Sequence, residues 1–253
     1  MQLFDLSNKV AIVTGGSKGI GFALTRALGS AGASVIIANR TATEGQKAAS
    51  LLQKEKINAL AIPTHVDNLE SIDNLTREVV KKFGRIDILV NNAAFCLLKP
   101  PEEFSEKEWD QTMDINMKSM FFCCQRIAKE MMKQKKGKII NLSSLIIGTM
   151  RPGRAVYAIS KGGVAHLTRT LAFEWGKYNI NVNAIAPGLT LTDINREHFE
   201  KHPDEFQKVV SNIPLGREAN VTDYMGTVVY LASDASDYMT GQVLVVDGGS
   251  TVA

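Results

Sequence analysis

The sequence predicts an α/β protein made of parallel β-α-β units, and two observations support this. Short apolar, β-branched runs recur along the 253-residue chain, and they alternate with helical segments of roughly 12 residues or more. Runs of this kind suit strands that are buried on both faces of a parallel sheet. Because no break in composition divides the chain, we expect one domain over residues 1–253.

The elements follow one another in a regular order. Glycine, proline or polar residues bound each strand candidate, and the segments between most of them carry a helical apolar pattern. The expected strands are residues 8–14, 33–38, 59–63, 86–92, 137–144, 179–188 and 241–249. The expected helices end near residues 31, 56 and 83 and then span about 105–134, 154–178 and 221–232.

Composition excludes several classes of protein. The formal net charge of +3 is too small and too dispersed to favour a nucleic-acid ligand. No apolar run approaches the roughly 18 residues of a membrane helix, and the N-terminus lacks the pattern of a secretory signal. The three cysteines show no C-x-x-C spacing, so we expect neither disulfides nor a zinc site. We therefore expect a cytoplasmic protein that binds neither membranes nor nucleic acids.

A glycine-rich segment, T-G-G-S-K-G-I-G, follows the first strand at residues 14–21. A strand, a glycine turn and a helix in this order allow backbone N–H groups to approach a pyrophosphate at the helix N-terminus. The spacing of Gly15, Gly19 and Gly21 differs from G-x-G-x-x-G, and a tight strand-to-helix connection alone would also favour glycine. The segment is a candidate dinucleotide site.

The second strand ends at Asn39 and Arg40, where dinucleotide-binding folds place an acid that binds the adenosine ribose. This chain has no acid there. Arg40 and Lys18, which lies in the glycine turn, are both cationic and could bind a 2′-phosphate. The pattern therefore favours NADP over NAD.

Residues 144–161 carry the strongest candidate for proton transfer. Tyr157 and Lys161 are four residues apart, so on a helix both side chains point to one side. A neighbouring ammonium would lower the pKa of the phenol toward neutrality and make Tyr157 a proton donor or acceptor. Ser144, at the end of the fifth strand, could hydrogen-bond the same substrate oxygen. Taken alone, a Tyr-x-x-x-Lys pair is also common on exposed helices.

The apolar pattern loosens between residues 189 and 215. An irregular insert at the C-terminal end of a strand is typical of a segment that covers a substrate. His198 and His202 have the spacing of a helical metal pair, but no third ligand lies nearby, so we expect no metal site.

Together these motifs make the sequence resemble the short-chain dehydrogenase/reductase family over nearly its whole length. The matching residues are the glycine turn at 14–21, the run N-N-A-A at 91–94, Asn116, Ser144, Tyr157, Lys161, the pair Pro187 and Gly188, and the run D-G-G at 247–249. The resemblance implies a Rossmann-like, doubly wound, seven-stranded parallel sheet with a nicotinamide cofactor at the C-terminal ends of the strands.

The resemblance also implies roles for individual residues. The expected catalytic residues are Tyr157 as general acid or base, Lys161 on the nicotinamide ribose, Ser144 on the carbonyl, and Asn116 on a relay water. The expected cofactor-binding residues are Gly15, Ser17, Lys18, Gly19, Ile20, Gly21, Asn39, Arg40, His65, Val66, Asn92, Ala93, Ala94, Tyr157, Lys161, Pro187, Gly188, Thr190 and Thr192. Two departures concern the cofactor: Ala94 replaces the usual glycine, and His65 replaces the usual aspartate.

The expected activity is reversible, NADPH-dependent reduction of a ketone or aldehyde. The substrate-facing candidates are all apolar and favour an alicyclic, aromatic or acyl carbonyl compound over a polyol: Phe95, Leu145, Ile146, Met150 and Leu189.

Three other activities stay open. Family members that reduce 3-oxoacyl groups on a carrier protein tend to place two basic residues at exposed positions, where this chain has Lys129 and Phe173. An NADP-binding sensor or scaffold without turnover would usually lack the Tyr or Lys. Epimerases and dehydratases among the extended relatives usually carry a differently spaced glycine turn.

Family members are commonly homotetramers that pair through the helices starting near 105 and 154.

Overall fold

Seven strands form one parallel sheet in the computed structural model, which describes residues 2–252. The strand order is β3-β2-β1-β4-β5-β6-β7. The strands are β1 (Val10–Thr14), β2 (Ser34–Asn39), β3 (Ala59–Pro63), β4 (Ile88–Asn91), β5 (Gly137–Leu142), β6 (Ile180–Pro187) and β7 (Val243–Val246). The predicted doubly wound sheet is confirmed, and so is each predicted strand.

The helices cover both faces of this sheet. They are α1 (Gly19–Ser30), α2 (Ala42–Lys54), α3 (Leu69–Phe83), α4 (Glu106–Met113), α5 (Ser119–Gln134), α6 (Ala155–Trp175), α7 (Arg196–Lys201), α8 (Pro203–Ser211) and α9 (Met225–Ala232). Among the described residues, no helix is long and apolar enough to cross a membrane.

The apolar core has two halves, one on each face of the sheet. Leu24, Leu52 and Leu231 bring α1, α2 and α9 onto one face. Leu75 and Ile127 belong to the half that covers the other face, with α3, α5 and α6. Each fully buried side chain of this size stabilises the fold by about 1.5–3 kcal/mol, so the strands need the continuous apolar runs seen in the sequence.

The register of the sheet aligns the C-terminal ends of the central strands. Thr14 at the end of β1 pairs with Asn91 of β4, and Asn91 pairs with Asn141 of β5. The chain winds outward from β1 to β3 and then returns to β4 on the other side of β1. A crevice opens at this reversal of strand order, where open α/β sheets bind their ligands.

The long helix predicted over 105–134 is interrupted. A π-helical turn, Asp114–Lys118, separates α4 from α5. An inserted residue of this kind does not break the apolar pattern, so the turn could not be predicted from the sequence. The irregular segment after β6 contains the two short helices α7 and α8.

Candidate active site

Tyr157 and Lys161 lie in the first half of α6 and face the end of β5, as their spacing predicted. Both line a pocket together with Ser144, which follows β5. Lys161 is 1% exposed, and its Nζ lies 5.6 Å from the centroid of the Tyr157 ring. The structure therefore brings the three predicted side chains to one site.

The state of the Tyr157 phenol differs from the prediction. Burial raises the pKa of Tyr157 to about 12, and the neighbouring Cys96 adds to this shift. The nearby Ser144 hydroxyl and the positive charge of Arg154 lower the pKa of Tyr157, but their effects are smaller. In the chain by itself the phenol is therefore a firmly protonated group.

Lys161 contributes little to this pKa, because its Nζ is directed to the backbone and not to the phenol oxygen. Burial lowers the pKa of the Lys161 ammonium to about 8. Its Nζ donates a hydrogen bond to the carbonyl of Leu142 at 2.7 Å. The spacing predicted that Tyr157 and Lys161 are neighbours, but it could not show that the amine points to the backbone at the end of β5.

The two adjacent serines have different partners. The Ser143 hydroxyl is buried and donates to the backbone carbonyl of Lys161 at 3.0 Å. Ser144 instead caps the short 3₁₀ helix Leu145–Ile147, where its Oγ accepts a hydrogen bond from the N–H of Ile146 at 3.3 Å. The Ser144 hydroxyl can still donate toward the pocket, and its predicted role on the substrate carbonyl stays a prediction.

Asn116 lies in the π-helical turn and is fully buried. Its Oδ1 accepts from the N–H of Phe95 at 2.8 Å, and its Nδ2 donates to the carbonyl of Phe95 and to Ser160 Oγ, each at 2.9 Å. The side chain therefore joins the loop after β4 to α6. Its predicted part in a water relay stays a prediction.

The glycine turn has the geometry that a pyrophosphate needs. Gly15 and Gly19 have φ values of +63° and +56°, which non-glycine residues rarely adopt. A Cβ at Gly21 would lie 2.2 Å from the carbonyl oxygen of Gly15, so no side chain fits there. Helix α1 begins at Gly19 and directs its N-terminus to this turn.

Asn92 holds the glycine turn against β4. Its Nδ2 donates to the carbonyls of Thr14 and Gly15, each at 3.0 Å. The Thr14 hydroxyl in turn accepts from the backbone N–H groups of Asn92 and Ala93 at 3.0 and 3.1 Å. Thr14 was part of the matched motif without an assigned role, and the structure gives it this positioning contact.

Most predicted cofactor residues line one crevice above β1, β2 and β4. They are Gly15, Ser17, Lys18, Gly19, Ile20, Gly21, Asn39, Arg40, His65, Val66, Asn92, Ala93, Ala94 and Thr192. Pro187, Gly188 and Thr190 line the adjoining pocket with Tyr157 and Lys161. The crevice also contains three acids that the sequence did not point to, Glu44, Asp67 and Asp193.

The end of this crevice near β2 carries two cations, Lys18 and Arg40. Asn39 Oδ1 is buried and has no hydrogen-bond partner, while Nδ2 donates to the carbonyl of Thr41 at 2.7 Å. Lys18 Nζ lies 2.8 Å from Asp193, and both side chains are exposed. Arg40 is exposed and makes no salt bridge with any residue in 2–252.

The predicted substrate residues divide into two groups. Leu145, Ile146 and Leu189 line the pocket that contains Tyr157. Phe95 instead faces the cofactor crevice, and Met150 is 83% exposed in a neighbouring groove, so neither lines the pocket of Tyr157. The direction of each of these side chains depends on the local backbone, which the apolar pattern of the sequence does not indicate.

Polar residues that the sequence reasoning missed also line the pocket of Tyr157. They are Cys96, Arg151, Arg154 and Asn195. The two arginines stand in the run R-P-G-R just before α6, so the signal was present in the sequence. The pocket is therefore more polar than the five apolar candidates suggested.

The segment after β6 closes one side of both pockets. Leu189, Phe199 and Ile213 form a small apolar cluster of its own. Thr190 and Tyr224 share a hydrogen bond of 2.6 Å between their hydroxyls.

Among the residues described, no cluster of three or more acids, histidines and cysteines could hold a metal ion. His198 instead contacts Glu205 at 2.9 Å and stacks on His202.

Comparison with known proteins agrees with this geometry. The family described as Enoyl-(Acyl carrier protein) reductase matches residues 15–251. A short-chain type dehydrogenase/reductase from Mycobacterium marinum has the same fold, with a TM-score of 0.95, 32% identity and coverage of 100% of this chain and 99% of the other. The chain belongs to the short-chain dehydrogenase/reductase family.

Two curated short-chain relatives differ in the activity that their names give. Gluconate 5-dehydrogenase of Gluconobacter oxydans is 36% identical over 252 residues, covering 100% of this chain and 98% of the relative. The 3-oxoacyl-[acyl-carrier-protein] reductase FabG of Staphylococcus epidermidis is 36% identical over 245 residues, covering 96% and 98%.

One solved relative contains ligands. A gluconate 5-dehydrogenase from Burkholderia cenocepacia in complex with NADP and tartrate has a TM-score of 0.95 and 34% identity, with coverage of 100% of this chain and 98% of the other.

Proposed function

We propose that this short-chain dehydrogenase/reductase catalyses reversible, NADP-dependent reduction of a ketone or aldehyde. The observation that carries the proposal is the phenol of Tyr157, which shares a pocket with Ser144, lies beside Lys161 and faces a pocket continuous with the glycine-turn crevice. The gluconate 5-dehydrogenase relatives, one of them crystallised with NADP, support the same reaction class.

The residues of the crevice suit NADP. The narrow turn at Gly15 and Gly21 fits the pyrophosphate, and Asn39 lines the crevice where the ribose would lie. Arg40 and Lys18 would hold the 2′-phosphate, since no acid stands at the end of β2. The bound cofactor supplies the hydride.

The chain supplies positioning and a proton. Tyr157 Oη would donate its proton to the substrate oxygen as that oxygen becomes an alcohol, and it would accept a proton in the reverse direction. The Ser144 hydroxyl would hydrogen-bond the same oxygen and fix its orientation. Asn116 would keep the floor of the site in place through Phe95 and Ser160.

We further propose that the segment 189–215 acts as a lid. Asp193 in this segment reaches Lys18 of the glycine turn at 2.8 Å, which supports closure over the cofactor. Its own apolar cluster would let it move as a unit.

We propose a homotetramer that works in the cytoplasm. Trp109, Phe121, Ile159 and Phe173 on α4–α6 are exposed apolar side chains, which supports an interface there. Much of the apolar pattern in α5 and α6 packs instead into the chain's own core, including Met120 and Val164. Three free cysteines support a reducing compartment.

A 3-oxoacyl-carrier-protein reductase is a second candidate because of the FabG relative. Of the two positions where such enzymes place basic residues, Lys129 is exposed and basic, whereas Phe173 is apolar and 88% exposed. An apolar residue at one position removes half of the attraction for an acidic carrier, so this candidate is the weaker one.

An assay of NADPH oxidation tests the proposal. The protein is mixed with NADPH and a panel of ketones, aldehydes and 3-oxoacyl thioesters, and the absorbance of the reduced nicotinamide is followed. We expect oxidation with at least one small carbonyl compound. Binding of NADPH without oxidation by any member of the panel would instead identify a sensor or scaffold.

A further inference from the structure

The turn before α6 presents two guanidinium groups to the pocket of Tyr157. Arg151 and Arg154 both line this pocket, and both side chains are only partly exposed. They also line the adjoining groove beneath α8, so they stand between the phenol and the outer opening of the site. Two cations are thus placed where a substrate must pass.

No acid within residues 2–252 lies at salt-bridge distance from either arginine, and no protein group there accepts a hydrogen bond from either guanidinium. Lys99, on the neighbouring loop, shows the contrast, because its Nζ lies 3.0 Å from Glu108. The acid that most favours the charge of Arg151 is Glu205, which is engaged with His198 at 2.9 Å.

Two neighbouring positive charges without an acid partner are electrostatically unfavourable. Partial burial lowers the pKa of Arg151, and the positive charge of Arg154 lowers it further. Partly buried like charges without a partner cost free energy that a bound anion would recover. The positive charges of Arg151 and Arg154 therefore make this position favourable for an anionic group.

The backbone holds the two arginines in place. Gly153, between them, has a φ of +71°, and its carbonyl accepts a hydrogen bond from the N–H of Lys99 at 2.9 Å. Pro152 fixes a further backbone angle. Arg154 directly precedes α6, which carries Tyr157. The guanidinium groups are therefore tied to the helix that carries the proton donor.

We propose that Arg151 and Arg154 together bind a carboxylate of the substrate and so select hydroxy and keto acids. This inference rests on the proposed function and names the substrate class for the same site. Guanidinium forks match the two oxygens of a carboxylate, and such charge-assisted pairs are stronger than neutral hydrogen bonds. Since the arginines share a pocket with Tyr157, the anion belongs to the same small molecule as the reacting carbonyl or hydroxyl group.

The anchored carboxylate also sets the register of a chain substrate. With one end held at Arg151 and Arg154, a hydroxyl further along the chain is presented to Tyr157 and Ser144. Asn195 supplies a polar wall to this pocket, and Leu145 and Ile146 supply an apolar one. A long acid with several hydroxyl groups would thus be oxidised at a single carbon.

The experiment compares acids with their neutral amides. D-gluconate, D-glycerate and L-tartrate are titrated against the protein saturated with NADPH, with which a hydroxy acid cannot react, each alongside its amide, and dissociation constants are measured by calorimetry. The variants are Arg151→Gln, Arg154→Gln and the double variant, with Arg151→Lys and Arg154→Lys as conservative forms. Arg77→Gln is the control, because Arg77 is exposed, makes no salt bridge within residues 2–252 and lies outside the pocket.

We expect the wild-type protein to bind at least one acid roughly tenfold to a hundredfold more tightly than its amide. The double Gln variant should bring this ratio close to one, each Lys variant should retain part of it, and Arg77→Gln should not change it. An unchanged ratio in the double variant would overturn the inference, and so would a wild-type protein that prefers no acid over its amide. Tighter binding of a sugar phosphate than of any carboxylate would also overturn it.

This outcome is separable from that of the proposed function. The calorimetric ratio requires binding but no turnover, whereas the proposed function requires NADPH oxidation. Neutral ketones that are reduced equally by the wild-type protein and the double variant, together with an absent acid preference, would remove the carboxylate site and leave the reductase. Acid preference without oxidation of NADPH by any substrate would do the reverse.

Discussion

Two pairs of cations line the cofactor crevice and the adjoining pocket of Tyr157: Lys18 with Arg40, and Arg151 with Arg154. The two pairs differ in whether an acid lies close to them. At the adenosine end, Lys18 is paired with Asp193 at 2.8 Å, and Glu44 lines the same crevice. At the substrate end, Arg151 and Arg154 have no acid at salt-bridge distance in the described chain. Lys18 can exchange its partner when a ligand binds, whereas Arg151 and Arg154 acquire one only from the ligand.

This difference separates two kinds of specificity. Exposed ion pairs such as Lys18 with Asp193 contribute only about 0–1 kcal/mol, so the adenosine end should tolerate change. Partly buried unpaired guanidinium groups are more sensitive to their surroundings. We therefore expect substitutions at the adenosine end to shift the preference between NADP and NAD. Substitution of Tyr157, which lies between the two ends, should instead abolish turnover.

The largest effect is expected from Tyr157→Phe, which leaves both cation pairs in place. Loss of the general acid should lower turnover by roughly two to four orders of magnitude. The affinity for NADPH should stay nearly unchanged, because neither Lys18 nor Arg40 is affected. Stopped assays of turnover and fluorescence titration with NADPH measure the two quantities. A near-normal rate would show that another group delivers the proton.

The pH dependence of reduction distinguishes the structure from the sequence-based expectation. Since the pKa of Tyr157 is raised to about 12, the phenol keeps its proton across the neutral and mildly alkaline range. The value of kcat/KM for reduction should show no loss from ionisation of this phenol between about pH 7 and pH 9. A phenol that titrates near neutrality would instead lose about tenfold per pH unit above its pKa.

The matched variant for this measurement is Cys96→Ser. The Cys96 thiol also lines the pocket, and burial raises its pKa. A fall centred near pH 8 that persists in Cys96→Ser would assign the ionisation to Lys161, whose pKa is lowered to about 8, whereas a persistent fall centred nearer pH 7 would assign it to Tyr157 and contradict the raised pKa. A fall that disappears in that variant would assign it to the thiol.

A moderate effect is expected from Arg40→Asp at the adenosine end. The change replaces a partner for the 2′-phosphate with an acceptor for a ribose hydroxyl. The ratio of kcat/KM for NADPH to that for NADH should fall by roughly tenfold or more. The exposed Arg77→Asp serves as the control for the added negative charge. An unchanged ratio would mean that Lys18 alone reads the phosphate.

The smallest effect is expected from Asp193→Asn, which releases Lys18 without changing any other cation. Loss of an exposed ion pair should change the free energy of unfolding by less than about 1 kcal/mol. Freed Lys18 should strengthen NADPH binding by a few-fold at low salt, with little change at high salt. Thermal unfolding and titrations at two salt concentrations measure these effects. Weaker NADPH binding would indicate that lid closure outweighs the charge.

The fold was predictable because each strand is a self-contained apolar run and each helix has its own period. The glycine turn, Ser144, Tyr157 and Lys161 were predictable because fixed spacings along single elements place them. The π-helical turn was not, since one inserted residue near Asn116 leaves the periodicity almost intact.

Contacts between distant segments were also beyond the sequence. Nothing in it shows that the Lys161 amine donates to Leu142 and not to the phenol, or that Lys18 meets Asp193. The arginines were visible, but their direction depends on the turn at Gly153, which exposes Met150 and directs Arg151 to the pocket. Spacing predicts where a residue lies on a helix or strand, whereas the direction of a side chain in a turn depends on the folded backbone of that turn.

The π-helical turn at Asp114–Lys118 limits how this protein can be redesigned. Each residue of an α-helix advances the next by about 100°, so deleting one residue to regularise the turn would rotate one flanking segment by that angle. Either Asn116 would turn away from Phe95, or Cys123 and Cys124 would leave the core. An engineer who idealises this helix must therefore give up the anchor of the loop after β4 or repack one whole face of the sheet.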